Sequence, residues 1–252
     1  MSPFVAGFWL LLILFPLVFL ERWIHGHLQG VWLLIFRHDQ IATSIYSIIM
    51  LPGVLLHEAS HWLVATLLLV RAGRFSVVPE RLPDGTLRLG YIETEKPDLI
   101  REALIGVAPL VTGCLVIVFA GYARLGVGPL GNALAQGDFG GAAADLAAMT
   151  RVNDFWLWLY LIFSVSNCML PSASDRRAWL PVLLMALAIG GLLVYLGLGP
   201  ALVEALGGAA EAGVRALAAA FTITVCLDLG IVPIIWGAEK VLMKLTGLRL
   251  EY

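Results

Sequence analysis

Two histidines and a glutamate, His57-Glu58-x-x-His61, stand in the middle of an apolar run. Residues four apart on a helix lie one turn above each other on the same face, so both imidazoles can reach one metal ion. Glu58 falls beside that face, where it can take a proton from a water on the ion rather than bind the ion itself. Ile48-Ile49-Met50-Leu51-Pro52-Gly53-Val54-Leu55-Leu56 precedes the motif and Leu63-Val64-Ala65-Thr66-Leu67-Leu68-Leu69-Val70 follows it. Both flanks read as membrane-spanning. Ionisable groups in a bilayer cost roughly a few kcal/mol each, so a metal site accounts for these three residues better than histidines that merely snorkel or pair.

The spacing is that of zinc hydrolases, and the rest of the chain must supply a third ligand and a framework. The protein has 252 residues, 60% of them hydrophobic and only 13% charged, with a mean hydropathy of +0.90. That charge is about half the content of an ordinary soluble domain. The chain reads as an all-α polytopic membrane protein, a single integral membrane domain over residues 1–252. Six apolar stretches are of about spanning length: residues 4–20, 41–70, 99–122, 155–170, 178–198 and 214–236. The first lacks a basic leader and a small-residue cleavage site, so it is expected to be retained. A net charge of −2 argues against nucleic acid, which needs a basic face. Cys114, Cys168 and Cys226 sit in apolar segments at no regular spacing and read as small hydrophobes rather than a disulfide framework.

Between the first two spans, Arg22-Trp23-Ile24-His25-Gly26-His27 and the short run Val31–Phe36 suit a segment lying at the membrane interface. His25, His27 and His38 offer a second metal site or, the better reading, interfacial polar residues, since no carboxylate or cysteine sits at ligand spacing beside them. After the motif helix, Phe75-Ser76-Val77-Val78, the turn signal Pro83-Asp84-Gly85 and the alternation Leu87, Leu89, Tyr91 predict one β-hairpin of roughly 20 residues. It is either a solvated connector or a strand edge near the mouth of the site. Gly106, Ala108, Pro109 and Gly113 permit close packing and a local break in the third span. Residues 124–154 are rich in glycine and alanine and predict an extramembrane loop with one short helix, 142–149. Pro171 ends the fourth span and leaves polar groups, Ser166 to Arg177, where a third ligand could enter. Asp228 is a further acid inside the last span, for which a proton-path and a structural role are equally open.

The chain resembles the site-2 protease family of intramembrane zinc metalloproteases. His57, Glu58 and His61 match that family's first motif in full. Asn167 and Asp175 resemble its second, Asn-x-x-Pro…Asp-Gly, with the same eight-residue interval. Here Pro171 is one residue late and Arg176 stands where the family has glycine. Val107-Ala108-Pro109-Leu110 is similar to the family's Ala-Gly-Pro stretch, and the expected hairpin falls where members have one beside the catalytic cleft. The resemblance covers about residues 41–177, a catalytic core flanked by 1–40 and 178–252.

It implies one zinc ion held by His57, His61 and Asp175, with Glu58 as general base and hydrolysis of a peptide bond in or near the transmembrane segment of a membrane protein substrate. Cys168 competes with Asp175 as third ligand, since thiolate binds zinc well, but a cysteine in an apolar helix is usually inert packing. Asn167 would steady the substrate or the oxyanion, and Leu89 and Tyr91 would line a strand edge that pairs with the unwound substrate. The family's orientation puts eleven basic residues in cytosolic loops against five outside, as the positive-inside rule asks. Both termini are then cytosolic, in a prokaryotic cell membrane, with the lipid bilayer as surroundings and no further extramembrane domain. The rival reading is a non-proteolytic metal-binding membrane protein or a sensor-binding pseudoprotease. A transporter fits less well, because no inverted repeat is visible. Glu58 separates these readings, since only hydrolysis needs it.

Overall fold

The computed structural model describes residues 3–81 and 87–250. In chain order the elements are α1 (Pro3–Phe36), α2 (Asp39–Leu67), β1 (Ala72–Ser76), β2 (Glu80–Arg81), β3 (Leu87–Arg88), β4 (Tyr91–Thr94) and α3 (Leu99–Val118), which runs on into π-helical turns over Phe119–Leu125. There follow α4 (Val127–Ala135), α5 (Phe139–Met149), α6 (Phe155–Ser166), α7 (Trp179–Tyr195) and α8 (Gly199–Thr246). Among the described residues α1, α2, α3 with its continuation, and α8 are long and apolar enough to cross a bilayer. At 12 and 17 residues, α6 and α7 are shorter. Six expected spans are thus four long helices and two shorter apolar ones. Residues 124–154 are more helical than expected, holding α4 and α5.

The first span does not stop at residue 20. It continues as one helix through Arg22 and the histidines to Phe36, and the expected interfacial segment is its second half. A helix can carry polar groups at this depth when they find partners inside the bundle. His25 Nε2–H donates to the Asn167 carbonyl at 2.9 Å, and the His27 ring stacks on Trp23 at 3.9 Å. These histidines do not form a second metal cluster among the described residues.

Trp9 Nε1–H donates to Thr222 Oγ1 near one end of α1, and His27 lies 3.8 Å from Glu239 further along, so α1 and α8 run parallel. Simple alternation of six spans makes the first and last antiparallel and puts both chain ends on one side. The observed pairing is of the other kind.

The hairpin has two tiers. β1 pairs antiparallel with β4, Ser76 opposite Tyr91 and Phe75 opposite Ile92, and β2 pairs with β3. Leu89 and Gly90 lie between the tiers, outside any strand, so the alternation from Leu87 to Tyr91 is not one continuous edge. Gly90 explains the break. A Cβ there would stand 2.9 Å from Val54 Cγ1 and 3.0 Å from Glu58 Cγ, so the backbone passes directly over the motif helix. Leu89 turns inward and packs on the cluster of Ile24, Tyr46, Met50 and Val54. Tyr91 carries the Arg88 guanidinium 4.3 Å above its ring. The turn Pro83-Asp84-Gly85 lies outside the described residues.

Glycine also sets the approach of α6 to α2. A Cβ on Gly53 would meet the Ser164 carbonyl oxygen at 2.0 Å. The Gly53 N–H donates to Ser164 Oγ at 2.9 Å, and that hydroxyl donates to the Met50 carbonyl at 3.2 Å. Pro52 sits beside this point, inside α2. At the start of α3, Asp98 caps the helix by accepting from the N–H groups of Arg101 and Ile100, each at 3.1 Å. The Arg101 N–H leads in holding its carboxyl below the ordinary aspartate value.

Gly53→Val must push α6 off α2, an overpacking change of about 1–3 kcal/mol or more. A lowered unfolding temperature of the purified protein in detergent is the expected result, with Gly190→Val, where a Cβ meets nothing within 4 Å, unchanged.

Candidate metal centre

His57 and His61 lie on α2, one turn apart, with His61 six residues before the helix ends at Leu67. Asp175 arrives from the loop between α6 and α7. His61 Nε2 is 3.2 Å from His57 Nε2, 3.3 Å from Asp175 Oδ1, and His57 Nε2 is 3.7 Å from Asp175 Oδ2. Two ligand atoms about 2.0–2.1 Å from a tetrahedral zinc stand roughly 3.3 Å apart. The spacing of the three groups therefore suits one such ion, and they form the one cluster of this kind among the described residues.

The ring orientations show which nitrogens face the centre. His57 Nδ1 is 2.6 Å from the Cys168 carbonyl and His61 Nδ1 is 2.8 Å from the Ile105 carbonyl. A carbonyl only accepts, so each Nδ1 carries the hydrogen, and in the neutral imidazole each Nε2 presents a lone pair. Two lone pairs and a carboxylate then converge with no donor between them. A bound metal ion satisfies that arrangement, and an Nδ1–H donated to a carbonyl is the usual support of a metal-binding histidine.

Each of those carbonyls is available for a local reason. In α3, the Ile105 carbonyl would bond the N–H of residue 109, but residue 109 is proline and has none. Its free oxygen goes to His61. At the end of α6, the Cys168 carbonyl would bond the N–H of residue 172 if the helix continued. The Ser172 N–H donates instead to Asp175 Oδ2 at 2.7 Å. One turn thus positions the carboxylate and releases the carbonyl that holds His57.

Close approach of the Asp175 loop depends on Gly106 of α3, where a Cβ would lie 2.1 Å from the Asp175 carbonyl oxygen. Arg176 does not pair with Asp175 among the described residues. Its Nε donates to the Ser172 carbonyl at 3.3 Å. Cys168 contributes its carbonyl rather than its thiol to the site, for Sγ is turned to the Met50 carbonyl at 3.9 Å.

Glu58 is buried at 8% exposure beneath Gly90. Asn167 is buried at 2%, its amide donating to the Phe163 carbonyl at 3.0 Å and to Asp228 Oδ1 at 3.2 Å. Leu89 and Tyr91 lie on either side of Gly90. From His61 and Asp175 a cleft of about 440 Å³ opens past Ile92 and Glu102 towards Lys96 and Arg177. Reading the sequence for side-chain ligands missed the two orienting carbonyls. Pro109, four residues after Ile105, was the available signal.

Comparison with protein-family models, with curated proteins and with solved structures finds no match to this chain.

Zinc content separates the candidate ligands. With zinc added as the probe, purified Asp175→Ala should bind far less of it than the parent and Cys168→Ser as much; the reverse pattern defeats the assignment. Pro109→Ala restores an N–H that competes for the Ile105 carbonyl. It should weaken zinc binding about 10-fold without lowering the unfolding temperature.

Proposed function

We propose that this protein is a membrane-embedded zinc metalloprotease of the site-2 protease type, cutting a peptide bond in or near the transmembrane segment of another membrane protein. The observation that carries the reading is the convergence of two imidazole lone pairs and the Asp175 carboxylate beside Glu58, on a helix apolar enough to cross a bilayer. Zinc in such a place makes a water acidic enough to ionise near neutral pH and polarises a carbonyl.

The chain's own residues supply the remaining chemistry. Glu58, buried beside that face, takes the proton of the attacking water and returns it to the nitrogen of the leaving amine. Its burial beneath Gly90 places the base under the segment where an extended substrate would lie. The cleft from His61 and Asp175 to Lys96 and Arg177 supports an approach from the hairpin side. A helical substrate hides its carbonyls in hydrogen bonds, so it must unwind before cleavage. The backbone at Leu89 and Gly90, outside the two strand pairs, is suited to hold such an unwound strand.

Glu58→Gln keeps the size of the side chain and removes its basicity. When wild type and variant are each expressed and membrane-protein fragments compared, cleavage products should be absent with the variant while its zinc content stays near one ion. Equal fragment yields from a zinc-replete Glu58→Gln protein would leave a metal-binding, non-proteolytic role.

Gly90→Ala forces β4 away from Val54 and Glu58 and should slow cleavage at least 10-fold, the scale of a misplaced catalytic group. Glu80→Ala, on the outer tier, should cleave at the parental rate.

A further inference from the structure

The first and last long helices, α1 and α8, each send one polar side chain to the end of α6. From α1, His25 Nε2–H donates to the Asn167 carbonyl at 2.9 Å. That nitrogen therefore carries the hydrogen, and Nδ1 accepts from the hydroxyl of Tyr46 on α2. The Asn167 carbonyl is open to His25 because its helical partner would be the N–H of residue 171, a proline. From α8, Asp228 accepts the Asn167 amide at 3.2 Å. The next carbonyl along the chain is that of Cys168, which holds His57 Nδ1 at 2.6 Å. Two successive carbonyls thus bind two histidines, one from α1 and one at the metal centre.

We infer that His25 and Asp228 are positioning residues of the metal centre, clamping the Asn167–Cys168 peptide whose second carbonyl sets the ring of His57. The inference rests on the reading of His57, His61 and Asp175 as one metal site.

The polar inventory at Asp228 supports a clamp. Asp228 is fully buried, and after the single bond between them Asp228 Oδ2 and Asn167 Oδ1 have no partner among the described residues. Left as two bare acceptors in the bundle interior they would be costly. A carboxyl that keeps its proton presents an O–H at Oδ2 and removes one of the two. An asparagine side chain at this position would likewise present an N–H, which makes Asp228→Asn the faithful substitute and Asp228→Ala the disruptive one. On His25 the corresponding pair is Gln, which can donate to the carbonyl, and Phe, which cannot.

The test uses the purified full-length protein, with zinc affinity measured by chelator competition and the visible spectrum of the cobalt-substituted site. His25→Phe and Asp228→Ala should bind zinc about 10- to 100-fold more weakly than the parent and weaken the cobalt bands. His25→Gln and Asp228→Asn should restore both. A loss of thermal stability alone, with parental zinc affinity and cobalt spectrum in the folded disruptive variants, overturns the inference. Where a disruptive variant does not fold, Tyr46→Phe replaces it, removing only the hydroxyl on His25. A weakened cobalt spectrum then supports the clamp and an unchanged one overturns it. His57→Ala separates the two levels of the argument. Zinc retained there defeats the metal reading and the clamp with it, whereas zinc lost there but kept by the clamp variants defeats the clamp alone.

Discussion

A carbonyl that has lost its helical partner is the element on which this site depends. The free oxygen of Ile105 turns His61, and the free oxygen of Cys168 turns His57, so both present Nε2 to the same point. Proline makes the first of these oxygens available, by removing the N–H of residue 109 inside α3. A loop that gives its N–H to Asp175 makes the second. In a membrane interior no water stands ready to satisfy a stray carbonyl. An oxygen released there must be taken by a protein donor, and here imidazole N–H groups take it. Helix-breaking chemistry and metal-ligand orientation are one device in this fold.

Such orientation works only if backbones come close, and that explains where the small residues lie. Gly53 admits the Ser164 carbonyl to α2, Gly106 admits the Asp175 loop to α3, and a Cβ on Gly113 would stand 2.6 Å from Met169 Cβ. Gly90 brings the hairpin onto Glu58. Any side chain at these positions would force apart the segments that meet there. The bulk of the fold comes from two apolar clusters. One is built on Leu17, Ile117, Ile162 and Phe221, and the other on Ile24, Tyr46, Met50 and Phe163. The metal centre lies where α2, α3 and the loop after α6 meet.

The residues of the centre were legible in the sequence because their signals are local. Four-residue spacing puts His57 and His61 on one face whatever the fold, and Pro171 marks where α6 must open to let Asp175 in. The motif helix and a hairpin after it were legible for the same reason. Features that depend on partners far along the chain were not. Charges at Arg22 and histidines at 25 and 27 suggest an interfacial break, yet α1 continues because His25 finds Asn167, 142 residues away. Alternation at Leu87, Leu89 and Tyr91 suggests one strand, yet the chain leaves it at Gly90 to clear α2. Asp228 was visible as a buried acid, but only the bundle shows that its partner is Asn167.

Zinc K-edge X-ray absorption of the purified protein tests the ligand set most directly. The geometry predicts two imidazole nitrogens and carboxylate oxygen in the first coordination sphere at about 2.0–2.1 Å, and no sulfur. A sulfur scatterer at about 2.3 Å would place the Cys168 thiol on the metal and contradict the account.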